Sequence, residues 1–295
     1  MTQSGPFTFN EFKSSKLSGS PHYLVVGQPI AHSMSPLMHN ISLQHYSIDA
    51  EYVAVELSPQ SFSDFVAWIN NENFLGCNIT IPFKKEFIGI PDQISPEVMA
   101  VGAMNTISKN DIGTTVTGSN TDIYGFKVPL DDYEDMMDYG RAIVFGTGGA
   151  SLAVQYALME LGYEEIILVS RSPRETTSLQ NSVYTRVVDY SQWQSFADEA
   201  ELFVNTTPLG MSKMITESPV DKHDAEMLEG KICYDLVYNP LETTFLSMAE
   251  SAGAETIGGL DMLIHQGSRS FEIWTGKTFP VEKVKSELIN YLTGR

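Results

Sequence analysis

Cysteine, basic side chains and long apolar runs are all scarce in this chain. Only Cys77 and Cys233 occur in 295 residues, each inside an apolar run. Two buried thiols of a reducing compartment are therefore expected, rather than a disulfide framework. Lysine and arginine number 18 against 37 aspartates and glutamates, a formal charge of −19. So acidic a chain is a poor match for nucleic acid or an anionic membrane, both of which attract basic surfaces. Any anionic ligand must then be met by local positive groups that outweigh the overall field. No apolar run approaches the roughly 20 residues that cross a bilayer. The N-terminus has no apolar signal core, so a cytoplasmic location is expected. The histidines (His22, His32, His39, His45, His223, His265) show no metal-ligand spacing with the cysteines, and no metal is expected.

What is present is an alternation of short apolar runs and helical patterns in a chain long enough for two domains. Tyr23-Leu24-Val25-Val26-Gly27 reads as a strand, Pro36 to Tyr46 as a helix, and Tyr52 to Leu57 as a strand. A helix from Pro59 to Ile69 and a strand from Leu75 to Ile81 follow, the latter ended by Pro82. A second series begins near Ala142, with strands near Ile166, at Leu202–Asn205 and at Lys231–Asp235; Met262 to Leu292 is helical in pattern. The predicted class is α/β with mostly parallel sheets. The segment before Tyr23, with Ser14 to Ser20 as its lead-in, reads as a flexible polar tail. The acidic run Asp131 to Asp138 reads as a solvated face.

The second series opens on a glycine loop. Ala142-Ile143-Val144-Phe145 is followed by Gly146-Thr147-Gly148-Gly149-Ala150-Ser151, a helical pattern with Ala153, Ala157, Leu158 and Leu161, and the run Ile166-Ile167-Leu168-Val169. Strand, glycine turn, helix and strand within about 30 residues form the βαβ unit that holds a dinucleotide pyrophosphate. Glycines admit the phosphates to the backbone, and the helix N-terminus points free N–H groups at them. The second strand ends in Ser170-Arg171-Ser172, with Arg174 close by and no carboxylate before Glu175. An acidic residue there would accept the ribose 2′-hydroxyl of NAD, whereas guanidinium suits the 2′-phosphate of NADP. The expected cofactor is NADP.

The first series carries polar side chains where its strands end, which is where open α/β sheets bind ligands. Ser35 before Pro36 reads as N-cap and N1, and with Ser33 it sets two hydroxyls beside a helix N-terminus, a site for a carboxylate. Alternation along Asn78-Ile79-Thr80-Ile81 sends Asn78 and Thr80 to one face, with Lys84 just past the strand end. Gly102 to Thr106 and Gly118 to Asp122 supply Asn105 and Asp122. A positioned lysine can relay the hydroxyl proton that must leave when an alcohol gives up hydride. A nearby aspartate would hold the ammonium and accept a substrate hydroxyl. Spacing alone leaves solvated loop residues as an equal reading.

In order and spacing, His32 to Pro36, Asn78 to Lys84, Gly102 to Thr106, Asn120 to Asp122 and the Gly146 loop resemble the shikimate dehydrogenase family. So do Asn205 to Met211, Tyr234 to Pro240 and Met262 to Gly267, and the likeness runs from about Tyr23 to the C-terminus. The resemblance implies an NADP-dependent oxidoreductase that interconverts 3-dehydroshikimate and shikimate on the route to chorismate and the aromatic amino acids. It implies Lys84 as acid/base residue paired with Asp122, and Ser33 and Ser35 on the substrate carboxylate. Thr80, Asn105, Asp122 and Gln266 would bind hydroxyls or position the ring, with Tyr238 nearby. Gly146, Thr147, Gly148, Gly149 and Ala150 would take the pyrophosphate, Ser170, Arg171, Ser172 and Arg174 the 2′-phosphate, and Leu236 and Gly259 the nicotinamide end. The family fold implies an N-terminal α/β substrate domain, a Rossmann-type NADP domain, and C-terminal helices that return to the first domain. The expected division is a flexible tail over 1–22, a catalytic domain over 23–122 and 260–295, and a cofactor domain over 123–259.

Two features depart from the pattern. NADP-preferring members carry Asn-Arg-Thr after the second strand and a basic residue three further on. Here Ser170-Arg171-Ser172 keeps the arginine but brings Arg174 one step early, beside Glu175, which weakens the expected grip on the 2′-phosphate. The first 20 or so residues lie outside the likeness. A quinate or quinate/shikimate dehydrogenase with relaxed cofactor use is the nearest rival, since one ring hydroxyl is a small difference for a site to read. A catalytically silent NADP-binding sensor is the rival of another class, and Lys84 with Asp122 argue against it. The expected state is monomer or homodimer.

Overall fold

The computed structural model describes residues 6–110, 115–173 and 184–294. The chain divides into two compact units, Met1–Thr121 with Gly267–Tyr291, and Asp122–Gln266 with Leu292–Arg295.

The first unit is built on a seven-stranded sheet. Its strands are β1 (Phe7–Thr8), β2 (His22–Gly27), β3 (Glu51–Glu56), β4 (Phe74–Ile79), β5 (Gln93–Ile94), β6 (Thr106–Lys109) and β7 (Val116–Ser119), in the order β1-β3-β2-β4-β6-β7-β5. Every pairing is parallel except those of β6, which runs antiparallel to both β4 and β7. All six residues of β2 are buried, as expected of a central strand covered on both faces. Helices α1 (Phe9–Ser14), α2 (Ser35–His45), α3 (Phe62–Trp68) and α4 (Pro96–Val101) belong to this unit. Leu24, Val26, Val55, Phe65, Phe74, Ile79, Phe87 and Ile107 make its core.

The N-terminal segment corrects the sequence reading: the described part of 1–22 is a structured element, not a flexible tail. β1 pairs with β3, Phe7 opposite Val55. Thr8 and Glu11 form a capping box at the start of α1, the Glu11 carboxylate accepting the Thr8 N–H at 2.8 Å. The driving force is aromatic: Phe9 and Phe12 are buried, with edge contacts to Phe65 and Trp68. Burying two such rings is worth several kcal/mol, and the capping box adds about 1 kcal/mol.

The second unit holds six strands, all parallel. They are β8 (Arg141–Phe145), β9 (Glu165–Val169), β10 (Tyr184–Val188), β11 (Leu202–Asn205), β12 (Ile232–Asp235) and β13 (Glu255–Ile257), in the order β10-β9-β8-β11-β12-β13. This is the doubly wound order, which reverses between β8 and β11 and so places its ligand crevice there. Helices α5 (Asp122–Lys127), α6 (Gly149–Leu161) and α7 (Thr244–Ser251) accompany it. The acidic run lies largely in a 3-10 turn (Val128–Met136), and Asp131, Asp132, Glu134, Asp135 and Asp138 are exposed. Cys77 and Cys233 are free and buried, one in each unit.

The helical stretch expected over 262–292 is two helices, α8 (Gly259–Thr275) and α9 (Val281–Thr293). Gly276, at φ +65°, and Pro280 break it, glycine supplying the left-handed residue after the helix and proline the stop. α8 crosses the boundary between the units: its residues from Gly267 onward pack with the first sheet, as does most of α9. The units divide after Thr121 and before Gly267, so Asp122 and residues 260–266 fall in the second unit, whereas the sequence reading put them in the first.

Candidate active site

Strand direction gathers most of the expected substrate residues of the first unit at one end of its strands. β2 and β4 run parallel, so the segments that follow Gly27 and Ile79 leave the sheet on the same side. β6 runs the other way and begins there, and β7 ends there. Ser33 and Ser35 follow β2, Thr80 and Lys84 follow β4, Asn105 precedes β6, and Thr121 follows β7.

Backbone hydrogen bonds fix these segments. The Thr80 N–H donates to the Val26 carbonyl at 2.9 Å, and the Met104 N–H donates to the Lys84 carbonyl at 2.8 Å. The second bond ties the lysine loop to the residue before Asn105. Asn105 is buried and its N–H donates to the Ser119 carbonyl at 3.1 Å. Lys84 and Thr80 are half-buried, while Ile81, past the end of β4, is exposed.

α2 starts one residue earlier than the sequence suggested. Met34 is the N-cap and makes no side-chain cap bond, so Ser35 is already helical. Ser33 takes the capping role instead: its hydroxyl accepts the Ser35 N–H at 3.3 Å. Ser35 is buried and lies within hydrogen-bonding reach of the Tyr52 hydroxyl. The two serines thus stand at the positive end of an 11-residue helix, an arrangement suited to a carboxylate.

Asp122, Tyr238 and Gln266 are placed in the second unit. Asp122 is buried at the first position of α5, directly after Thr121 in the chain. Gln266 is buried in α8 and its amide donates to the Leu263 carbonyl at 2.9 Å. Tyr238 is half-buried, and burial raises the pKa of its hydroxyl.

In the second unit the glycine loop joins β8 to α6. Gly146 has φ +102°, and a side chain there would strike the Thr206 hydroxyl, so the position requires glycine twice over. Thr206 donates from Oγ1 to the Phe145 carbonyl at 2.7 Å and closes the turn from the β11 side. Gly148 is the N-cap of α6, offers no capping side chain, and like Gly149 is exposed with open space where a Cβ would stand. Thr147 and Ala150, half-buried, flank them. The first-turn N–H groups of a 13-residue helix therefore face a cradle free of side chains, which fits a dinucleotide pyrophosphate.

At the end of β9, Ser170 is buried and its hydroxyl accepts the Ser172 N–H at 3.1 Å, a turn that leaves Arg171 exposed. Arg171 lies close enough to Tyr190 for its charge to oppose the burial that raises the tyrosine's pKa. Arg174 falls outside the described residues. Asn205 and Asp235, at the ends of β11 and β12, are joined at 3.0 Å. Burial raises the Asp235 carboxyl to about 6, opposed by donors from Thr243, Val237 and Asn205. Leu236 follows, its N–H on the Asn205 carbonyl at 3.0 Å. Gly259 packs against the Leu236 carbonyl so closely that any side chain there would overlap it.

Comparison with known proteins now decides the family. Residues 25–107 match the shikimate dehydrogenase substrate binding domain, and residues 259–289 match the shikimate 5′-dehydrogenase C-terminal domain. The chain is 35% identical over 276 residues to the shikimate dehydrogenase (NADP(+)) of Gloeothece citriformis, covering 91% of this chain and 95% of the relative. The chain belongs to the shikimate dehydrogenase family. Among solved structures, it resembles the shikimate 5-dehydrogenase of Thermus thermophilus in complex with NADP(H) and shikimate. There the TM-score is 0.78 and the identity 32%, covering 90% of this chain and 97% of that one. A quinate dehydrogenase from Corynebacterium glutamicum in complex with NAD gives a TM-score of 0.83 at 25% identity, covering 92% of this chain and 99% of that one.

Several polar residues around these family positions escaped the sequence reading. Tyr190 beside Arg171, and Thr206 and Thr207 against Gly146, lie in the second unit. Tyr52, Thr106 and Ser270 lie in the first unit. Asn205-Thr206-Thr207 was visible as a polar run after an apolar strand. Nothing local marks Tyr52 or Ser270, whose partners lie far off in sequence. The structure also gathers Asp221, His223 and Asp224, with ligand atoms within 4.8 Å of one another, although the sequence showed no metal spacing. Asp221 and His223 are exposed, and Asp224 is engaged by the Gln194 amide at 2.9 Å.

Proposed function

We propose that this chain catalyses the reversible reduction of 3-dehydroshikimate to shikimate with NADPH, a step toward chorismate and the aromatic amino acids. NADP(H), when bound, supplies or takes up the hydride. The protein's own part begins with Ser33 and Ser35, which bind the substrate carboxylate at the α2 N-terminus and set the ring's orientation. Thr80, Asn105, Asp122 and Gln266 bind its hydroxyls, with Tyr238 beside them. The Lys84 ammonium donates a proton to the carbonyl oxygen at carbon 3 during reduction. In the oxidation direction its amine takes that proton back. Asp122 holds the ammonium and keeps the proton relay aligned.

Gly146 to Ala150 hold the pyrophosphate, Ser170, Arg171, Ser172 and Arg174 the 2′-phosphate, and Leu236 and Gly259 the nicotinamide end. Apart from Asp122, Tyr238 and Gln266, the roles follow the described units: substrate binding by the first sheet with the C-terminal helices, cofactor binding by the second. Two free, buried thiols suit a cytoplasmic enzyme. Each chain carries both residue sets, so monomer or homodimer serves equally well. Among the described residues no helix is long and apolar enough to cross a membrane.

The observation that carries this reading is the placement of Ser33, Ser35, Thr80, Lys84 and Asn105 at one end of neighbouring strands, in a member of this family. Oxidation of NADPH on addition of 3-dehydroshikimate, followed by absorbance, tests it. The expected result is stoichiometric conversion. Tight NADPH binding without turnover would instead establish the silent sensor. The likeness to a quinate dehydrogenase favours quinate as the second substrate to test.

A further inference from the structure

Within the first unit, a set of buried polar side chains converges on Ser270 of α8, a residue that none of the assigned roles uses. Its side chain is fully buried. The Asn78 amide donates to its hydroxyl oxygen at 2.9 Å, and the hydroxyls of Thr106 and Thr121 lie at 3.0 and 3.1 Å. A serine hydroxyl has one proton to give and two acceptor sites, and these partners are enough to occupy all of them.

Both threonines continue to Asn105. The Asn105 side-chain oxygen accepts the Thr121 N–H at 2.7 Å and the Thr106 hydroxyl at 3.0 Å. Its amide nitrogen donates to the Thr121 hydroxyl at 2.9 Å. A backbone N–H can only donate, so the atom it meets is the carbonyl oxygen, and the orientation of the Asn105 amide is fixed without ambiguity. On the far side, Asn78 accepts the Tyr52 hydroxyl at 2.7 Å and donates to the Asn105 carbonyl at 3.2 Å. The network thus links β3, β4, β6, the end of β7 and α8. Ser270 is the member that joins the helix to the rest.

We propose that Ser270 is a positioning residue for the substrate site: through Thr106 and Thr121 it holds the Asn105 amide in the orientation that meets the substrate. The inference rests on the reading that Asn105 binds a substrate hydroxyl. Removing the Ser270 hydroxyl leaves Asn78 and both threonines each one partner short inside the protein. The bonds left to them centre on Asn105: the Asn78 amide keeps the Thr106 hydroxyl at 3.0 Å and the Thr121 hydroxyl keeps Asn105 Oδ1 at 3.2 Å, so the set loses its tie to Ser270 and Asn105 is the neighbour all three share.

The test is a mutant cycle of Ser270→Ala, Asn105→Ala and the double variant, reading the KM for shikimate, the KM for NADP+ and Tm. Ser270→Ala is expected to raise the shikimate KM about tenfold, the worth of one well-placed hydrogen bond, while the NADP+ KM stays within about twofold. In the Asn105→Ala background the same change should add nothing further. Ser270→Thr, which restores the hydroxyl, should recover most of the lost affinity. If Ser270→Ala fails to fold, Ser270→Cys keeps the volume with a poor hydrogen-bonding group and should move the KM in the same direction. A lowered Tm with unchanged shikimate KM, or equal KM increases in both backgrounds, would overturn the inference. Asn105→Ala with a normal KM would overturn the assignment of Asn105 itself, and this inference with it. A raised KM in Asn105→Ala but not in Ser270→Ala would overturn this inference alone.

Discussion

The two units place their buried polar side chains differently. The first buries polar side chains in and around its sheet: Asn78, Asn105, Thr106, Ser108, Thr121 and Ser270 are all buried, and most of them bond one another. The second keeps the buried interior of its strands apolar, and its buried polar groups stand at strand ends, as at Ser170, Asn205 and Asp235, or in helices and turns, as at Ser151, Gln155 and Asp224. The surface proposed for its cofactor is backbone, offered where Gly148 and Gly149 leave room. The contrast matches the ligands proposed for each. A ring bearing a carboxylate and several hydroxyls is told from its relatives by placed donors and acceptors, which need a rigid polar scaffold behind them. A pyrophosphate needs only converging N–H groups and closeness, which glycine and a helix end provide. Changes at Ser33, Ser35, Lys84 and Asn105 should therefore act on chemistry and substrate affinity, and changes at the glycine loop and Arg171 on cofactor binding and choice.

The largest expected effect is on chemistry in the first unit. Lys84→Ala should lower kcat by ~10² or more, as loss of a general acid/base does, with substrate KM little changed. Unaltered turnover would remove Lys84 from the mechanism and blur the contrast. Next comes the double change Ser33→Ala with Ser35→Ala, which should raise the shikimate KM by about tenfold or more and largely spare kcat, because the carboxylate proposed to meet these groups is remote from the reacting carbon. A fall in kcat at constant KM would reverse the division of roles. In the second unit, Arg171→Ala should lower kcat/KM for NADP+ about tenfold relative to NAD+ and leave the shikimate KM alone. Equal losses with both cofactors would take 2′-phosphate recognition away from Arg171.

The smallest expected effect separates stability from function inside the first unit. His39 is buried against Tyr52, with ring centroids 4.4 Å apart, and neither ring nitrogen has a hydrogen-bond partner. Burial pulls its pKa from 6.5 down to about 3. As pH falls below 6.5 the unfolded chain takes up a proton that the folded chain refuses, so stability is lost progressively from there to about 3. At pH 5 the cost is about 2 kcal/mol. Urea midpoints across that range should fall less steeply for His39→Phe than for the parent chain, with shikimate KM unchanged. Parallel pH profiles would show that other groups set the acid limb.

Legibility in the sequence followed the range of the interaction. The Gly146 loop could be read because its constraint is local: a left-handed residue, room for a ligand and a helix start lie within a few positions of one another. The placement of Ser33, Lys84 and Asn105 was legible as polar residues at strand ends, since strand alternation also acts over a few residues. The capped α1 had two local signals, the Thr8-to-Glu11 spacing and phenylalanines at 9 and 12, but the polar composition around them masked both. The Ser270 network was not readable at all. Asn78 and Ser270 stand 192 positions apart, and only the fold brings them together. The same holds for the boundary after Thr121, which cuts between a threonine bonded to Asn105 and the aspartate that follows it.

The central claim is most directly tested by steady-state kcat/KM for shikimate and quinate, each with NADP+ and with NAD+. Shikimate with NADP+ should be the fastest of the four pairs, and exchanging either the substrate or the cofactor should lower the rate. Preference for quinate with NAD+, or no turnover with any pair, would contradict the account.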